Sequence, residues 1–190
     1  FRRVLFRSYY SGTGDKIELA NGGELAGYIQ GRDTEVVEYM DRLNILVKTL
    51  AEKINEIHKG GWGLDGSTGN DFFEFDEENP AVTIVVNPKL NDYNKIAVSS
   101  EPGVKGDGEI IKDILALREE LLFDKYNSED PTKPLEEKSL TIDGFYRDLI
   151  MSLGTKREES REIAFSQELL MKQIDERRQE VSAVSMDEEM

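Results

Sequence analysis

Residues 36–57 read VVEYMDRLNILVKTLAEKINEI, and the spacing of their apolar positions decides the fold class. Val36, Met40, Leu43, Val47, Leu50, Ile54 and Ile57 follow one another in alternating steps of four and three. A helix gathers such positions into one stripe, so the stretch predicts a long helix whose a/d seam lies against another helix. Glu38, Asp41, Arg42, Lys48, Glu52, Lys53 and Glu56 fall between the seam positions and predict a charged outer face. At about 1.5 Å per residue such a helix is a rod of roughly 30 Å.

The flanks set its expected limits. Asp33 or Thr34 is a suitable N-cap, with Glu35 complementing the helix dipole. Upstream, Glu24–Ile29 reads as a separate short helix loosened by Gly27 and Gly31, after a turn at Asn21-Gly22-Gly23. Gly60-Gly61 is expected to end the long helix in a left-handed glycine cap. A second seam runs near the C-terminus. Thr141 or Asp143 starts that helix, Phe145, Leu149 and Leu153 give its first apolar face, and Gly154 is expected to interrupt it. Its later seam positions carry Lys156, Ser160, Ile163, Gln167, Leu170, Ile174, Arg177 and Val181. Half of these are polar, which suits a slender bundle or a contact completed by other chains better than a dry core. The two long helices, Glu35–Lys59 and Phe145–Val181, are expected to lie side by side and antiparallel.

Between the helices the patterns are shorter. Trp62–Gly69 reads as a loop, and Phe72, Phe73 and Phe75 form an aromatic cluster that buries it. Ala81–Val86 is the strongest strand signal in the chain, with Ile96-Ala97-Val98 as its expected partner, placing a small β element at about 71–100. Asp107 can cap a further helix with apolar positions Ile110, Ile114, Leu117 and Leu121. Asp124–Lys138 reads as a charged linker, since the spacing of a calcium loop is absent. Tyr9–Leu19 reads as a Gly-rich turn into a short strand, and its glycines match neither phosphate-binding pattern. The fold class is therefore α+β, mainly α: an elongated bundle of long helices with a small β element.

Composition removes several kinds of chemistry. The 190 residues hold no Cys and a single His, His58, so no thiolate or multi-histidine metal site can form. The net charge of −15 opposes binding to a nucleic-acid backbone. No apolar run approaches the roughly 20 residues that cross a bilayer. Acidic residues number 39, but nearly all sit on helix faces or in loops. Asp71 and Glu74, beside the phenylalanines, are the least unsuitable carboxylates for a raised pKa and hydrolysis, and the ordinary reading, a cluster expected of any packed domain, is much preferred. No catalytic residue, metal or cofactor is expected. Phe1–Ser8 reads as the translation of a sequencing adapter and is set aside; without its three arginines the charge becomes −18. Both ends are expected to be truncated, the C-terminal one within a helix that the Ser185/Glu188 capping box begins.

The ending Val181-Ser182-Ala183-Val184, followed after a short gap by Asp187-Glu188-Glu189, resembles that of the flagellar axial proteins. Within them the resemblance is to the hook-associated protein 1 family, which joins hook to filament. Gly22-Gly23-Glu24-Leu25-Ala26-Gly27, Arg32-Asp33, Leu50-Ala51, Asn55 with His58 and Gly61, Phe72-Phe73, Ile96-Ala97, Gly106-Asp107, Phe145-Tyr146 and Leu153-Gly154 match in order. Ala183 and Gly108 depart from the family's usual glycine and asparagine. The resemblance implies a fragment of a helical rod domain spanning 9–190, in a structural subunit that assembles into a ring. It implies contacts with the hook subunit and a second hook–filament junction protein, and an export chaperone at the missing C-terminal helix. It also implies an extracellular place on the flagellum, reached through the flagellar secretion apparatus without a cleaved signal. On the residues alone, a cytosolic helical adaptor is the alternative.

Overall fold

The computed structural model describes residues 23–124 and 139–182. Their elements run α1 (Glu24–Gln30), a π turn (Gly31–Glu35), α2 (Val36–Gly60), β1 (Phe73–Glu74), α3 (Pro80–Thr83), β2 (Val85–Val86), α4 (Glu109–Ala116) and α5 (Ile142–Ser182), with short 3₁₀ turns at Pro88–Asn91 and Tyr93–Lys95. The fold is mainly α, with long helices and one small antiparallel sheet. It divides into two compact units, Phe1–Tyr146 and Arg147–Met190. The readings of Phe1–Ser8, Tyr9–Leu19, Asn21-Gly22, the linker beyond Asp124 and the Ser185/Glu188 capping box lie outside the described residues.

In the first unit, α1 does not stop before α2. Gly31 keeps helical dihedrals (φ −57, ψ −46), and a π turn carries the chain directly into Val36. A π turn takes in one extra residue while the backbone bonds continue, so no N-cap is needed. Asp33 therefore does not cap a helix. It accepts two bonds from Arg32, at 2.6 and 2.9 Å. At the other end α2 stops where expected, but Gly61 is extended (φ −96, ψ 177) rather than left-handed. Glycine is required there for space. A Cβ would stand 2.7 Å from Ile110 Cγ1 and 3.0 Å from Ala97 Cβ.

The strand expected at Ala81–Val86 is only half a strand. Pro80 opens the single helical turn α3, and the Thr83 hydroxyl donates to the Asn79 carbonyl at 2.7 Å. Proline at a first helical position and a hydroxyl bonded back four residues outweigh the β-branched composition. Only Val85-Val86 pairs, and its partner is Phe73-Glu74, with Phe73 opposite Val86 and Glu74 opposite Val85. Ile96-Ala97-Val98 joins no sheet. It runs beside Trp62, whose carbonyl accepts from Val98 at 3.2 Å and from Ser99 at 3.3 Å.

The apolar core of this unit is Leu122, Phe123 and Phe145, with Leu46, Leu140 and Ile142 packed around it. The Phe123 and Phe145 rings stack at 4.5 Å. A short pairing of Phe123 with Leu140 closes the excursion between them. Arg42, expected on the charged outer face, is buried with its guanidinium 5.5 Å from the centre of the Phe145 ring. Its stem and planar head serve as core material against an aromatic face. Thr141 caps α5, its hydroxyl accepting from Gly144 at 3.2 Å. Asp107 receives the Glu109 N–H at 3.0 Å at the start of α4. That helix ends at Ala116, so Leu121 lies beyond it and is exposed.

The second unit is described from Arg147 to Ser182, all within α5. Gly154 does not interrupt the helix.

Candidate assembly faces on the long helices

The buried stripe of α2 is not its heptad seam. It is the face one residue further round, where Ala51, Asn55 and His58 are buried and Asn44 is partly covered. Three of these side chains hold the segment 61–100 by its backbone. Asn44 Oδ1 accepts the Ala81 N–H at 3.0 Å. Asn55 Oδ1 accepts from Phe72 N and Phe73 N, and Asn55 Nδ2 donates to the Phe73 carbonyl, each at 2.8 Å. His58 Nε2 accepts the Ala97 N–H at 2.9 Å, while Nδ1 stands 2.7 Å from the Asn70 carbonyl. An irregular segment carries backbone groups that must find partners on burial, and these side chains supply them. Phe72 sits edge-on to the His58 ring at 5.3 Å and to Phe73 at 4.8 Å, while Leu64–Gly66 of the preceding loop stay exposed rather than buried by the aromatic cluster.

The seam itself is uncovered over its first half. Val36 is 53% exposed, and Met40 and Leu43 are also exposed; Val47, Leu50, Ile54 and Ile57 are half-buried. In α5, Leu149 is buried and Leu153 is exposed. From Arg157 to Glu180 every residue is exposed. Ile163, Leu170 and Ile174 are 59%, 56% and 51% exposed. Val181 falls in the last described turn. Four of the expected seam residues thus form a half-buried stripe on α2, while most of the rest face water.

Sequence periodicity missed the functional share of Asn44, Asn55 and His58 in holding the loops. The signal was present: Asn44, Ala51, Asn55 and His58 recur at helical spacing one position after the apolar stripe. Polar residues in such a row read as an outer face unless backbone is known to need partners there.

The site carries little that would support catalysis. Asp71 is paired with Lys59 at 2.7 Å, and Glu74 lies on the exposed side of β1. Among the described residues, no group of three or more His, Cys, Asp or Glu could hold a metal, and no helix is long and apolar enough to cross a membrane. Asp107 is the most strongly bound carboxylate. It accepts from Ser100 N at 2.7 Å, Ser100 Oγ at 2.8 Å and Glu109 N at 3.0 Å, with Ser99 Oγ 3.0 Å away. These bonds, those from Ser100 foremost, hold its carboxyl well below the usual carboxylate range. It ties the loop before α4 through Ser99, Ser100 and Glu109.

Comparison with known proteins agrees with this geometry. Residues 5–73 match the flagellar hook-associated protein FlgK helical domain. The chain is also 26% identical, over 189 residues, to flagellar hook-associated protein 1 of Bacillus subtilis (strain 168). That alignment covers 90% of this chain and 35% of the relative, so the chain spans about a third of the relative's length. The two matches, one to residues 5–73 and one along most of the chain, are both to flagellar hook-associated proteins.

Proposed function

We propose that this chain belongs to a structural subunit of the bacterial flagellum at the hook–filament junction, and that it works by assembly. The observation that carries the reading is α5. Ile163, Leu170 and Ile174 each leave more than half their surface in water on one long helix. Helical stability in proteins comes chiefly from packing of the apolar face. The seams Val36, Met40, Leu43, Val47, Leu50, Ile54, Ile57 on α2 and Leu149, Leu153, Ile163, Leu170, Ile174, Val181 on α5 are its packing faces. Self-assembly into a ring, contacts with the hook subunit and a second junction protein, and an export chaperone complete the proposal. Its place is the extracellular flagellum, and no catalytic step is assigned.

Light scattering of residues 9–190 beside a version extended to the limits of its gene tests this. A monomeric short chain and an extended chain that binds hook subunits or forms filaments supports junction assembly. A short chain that forms a tight complex with a cytosolic partner, or an extended chain that never associates with hook subunits, overturns it in favour of an adaptor.

A further inference from the structure

We propose that His58 is a proton-operated latch that fastens the segment 61–100 to α2. Its ring is 1% exposed, and both nitrogens are committed to backbone. An amide N–H can only donate, so Nε2, which receives Ala97, carries no proton. A carbonyl can only accept, so Nδ1, which faces Asn70, carries one. The two bonds together admit one state, the neutral ring protonated on Nδ1. A second proton has to enter at Nε2, where it meets the Ala97 N–H head-on. It also places a cation in a buried site where neither nitrogen is bonded to a carboxylate. Protonation therefore breaks the Ala97 bond. The Nδ1 bond to the Asn70 carbonyl survives that protonation, so the release is confined to the stretch around Ala97.

The charged groups on the surrounding elements do not supply a counter-ion. Lys59, the next residue on α2, is paired with Asp71 of the bound segment at 2.7 Å, and Glu56 is paired with Lys53 at 3.1 Å. On α4, whose Ile110 lies against Gly61, Glu109 is paired with Lys112, and Asp113 is exposed. Lys95 and Glu101 flank the Ile96–Ser100 stretch and are not buried. Asp107 bonds Ser99 and Ser100, but its carboxyl titrates well below the carboxylate range and so in a more acid window than imidazole.

His58 is the only histidine in the chain, so its ring resonances are unambiguous. The experiment follows those resonances and backbone amide exchange, corrected for intrinsic rates, as the pH is lowered from about 7.5 until the fold is lost, and a ring that stays neutral throughout overturns the proposal. The latch predicts an Nδ1-protonated neutral ring at the upper end. It predicts that the corrected exchange of Ala97 speeds up about tenfold or more as the ring protonates, while Leu140, in the Phe123 pairing, stays protected. His58→Gln offers a non-titrating acceptor and should leave Ala97 exchange flat across the range. An Nε2-protonated neutral ring overturns the proposal. So does ring protonation without faster Ala97 exchange, or the same acid acceleration in His58→Gln. The wild-type readouts decide the matter even if that variant does not fold.

Discussion

Asn55 and Phe73 are joined by two opposed hydrogen bonds, Nδ2 to the Phe73 carbonyl and Phe73 N to Oδ1, both at 2.8 Å. The side-chain amide thus pairs with β1 as a neighbouring strand would, on the flank that β2 does not use. Asn55→Ala leaves the Phe72 and Phe73 N–H groups and the Phe73 carbonyl without these partners. The expected loss is about 2–4 kcal/mol, read by urea unfolding. Asn55→Asp keeps the accepting oxygen and sets a second oxygen against the Phe73 carbonyl. It should be as damaging at neutral pH and recover as the carboxyl protonates. An Asn55→Ala variant within about 0.5 kcal/mol of the parent would show that the pair is ornamental.

Gly61 is a matter of room rather than backbone freedom. With an added Cβ 2.7 Å from Ile110 Cγ1, Gly61→Ala should cost about 1–3 kcal/mol by overpacking. Ile110→Ala should cost about 2–5 kcal/mol alone. The two together should cost clearly less than the sum of the singles, since the alanine methyl then occupies space the isoleucine has vacated. Additive losses in the double-mutant cycle would mean that the contact is not where Gly61 is constrained.

Asp107 makes stability depend on acid with a definite sign. Its carboxyl is held below the ordinary value of about 3.9, so the unfolded chain takes up a proton before the folded one does. The stabilisation is complete above that value and fades as the pH falls below it. Asp107→Asn removes the charge that the Ser100 and Glu109 donors favour. It should be less stable than the parent at neutral pH, with the gap closing in acid. A gap that stays constant down to about pH 2 would assign the loss to shape rather than charge.

How much of this was readable beforehand varies by element for physical reasons. The extent of α2 followed from its 4/3 apolar spacing, and the Thr141 cap followed from a side chain that accepts a local N–H, whereas at α4 the cap position is Gly108 and Asp107 stands one residue before it. Which face of α2 is buried did not follow. Periodicity locates an apolar stripe, but Asn55 and His58 are buried and Asn44 partly covered because an irregular segment needs partners for its backbone. That need is visible only once the loops are placed. Arg42 misled in the same way, since a guanidinium over Phe145 reads as surface charge in the sequence. At Ala81–Thr83, β-branched composition lost to Pro80 and to the Thr83 bond back to Asn79.

The exposed seam of α5 separates stability from assembly. Leu170 and Ile174 are 56% and 51% exposed, so little of their apolar area is removed from water in the chain alone. Replacing both by Gln should shift unfolding of the chain by no more than about 1 kcal/mol, as expected for surface positions. Phe145 is buried against Phe123, and Phe145→Ala should cost about 3–5 kcal/mol. If the seam is a subunit face, the Leu170→Gln/Ile174→Gln chain, extended to its gene limits, stays folded by circular dichroism yet loses association with hook subunits in light scattering. Undiminished assembly by the double variant would remove α5 from the interface. A folded-state loss comparable to that of Phe145→Ala would show that these side chains are already covered within the chain, and the assembly reading would lose its main support.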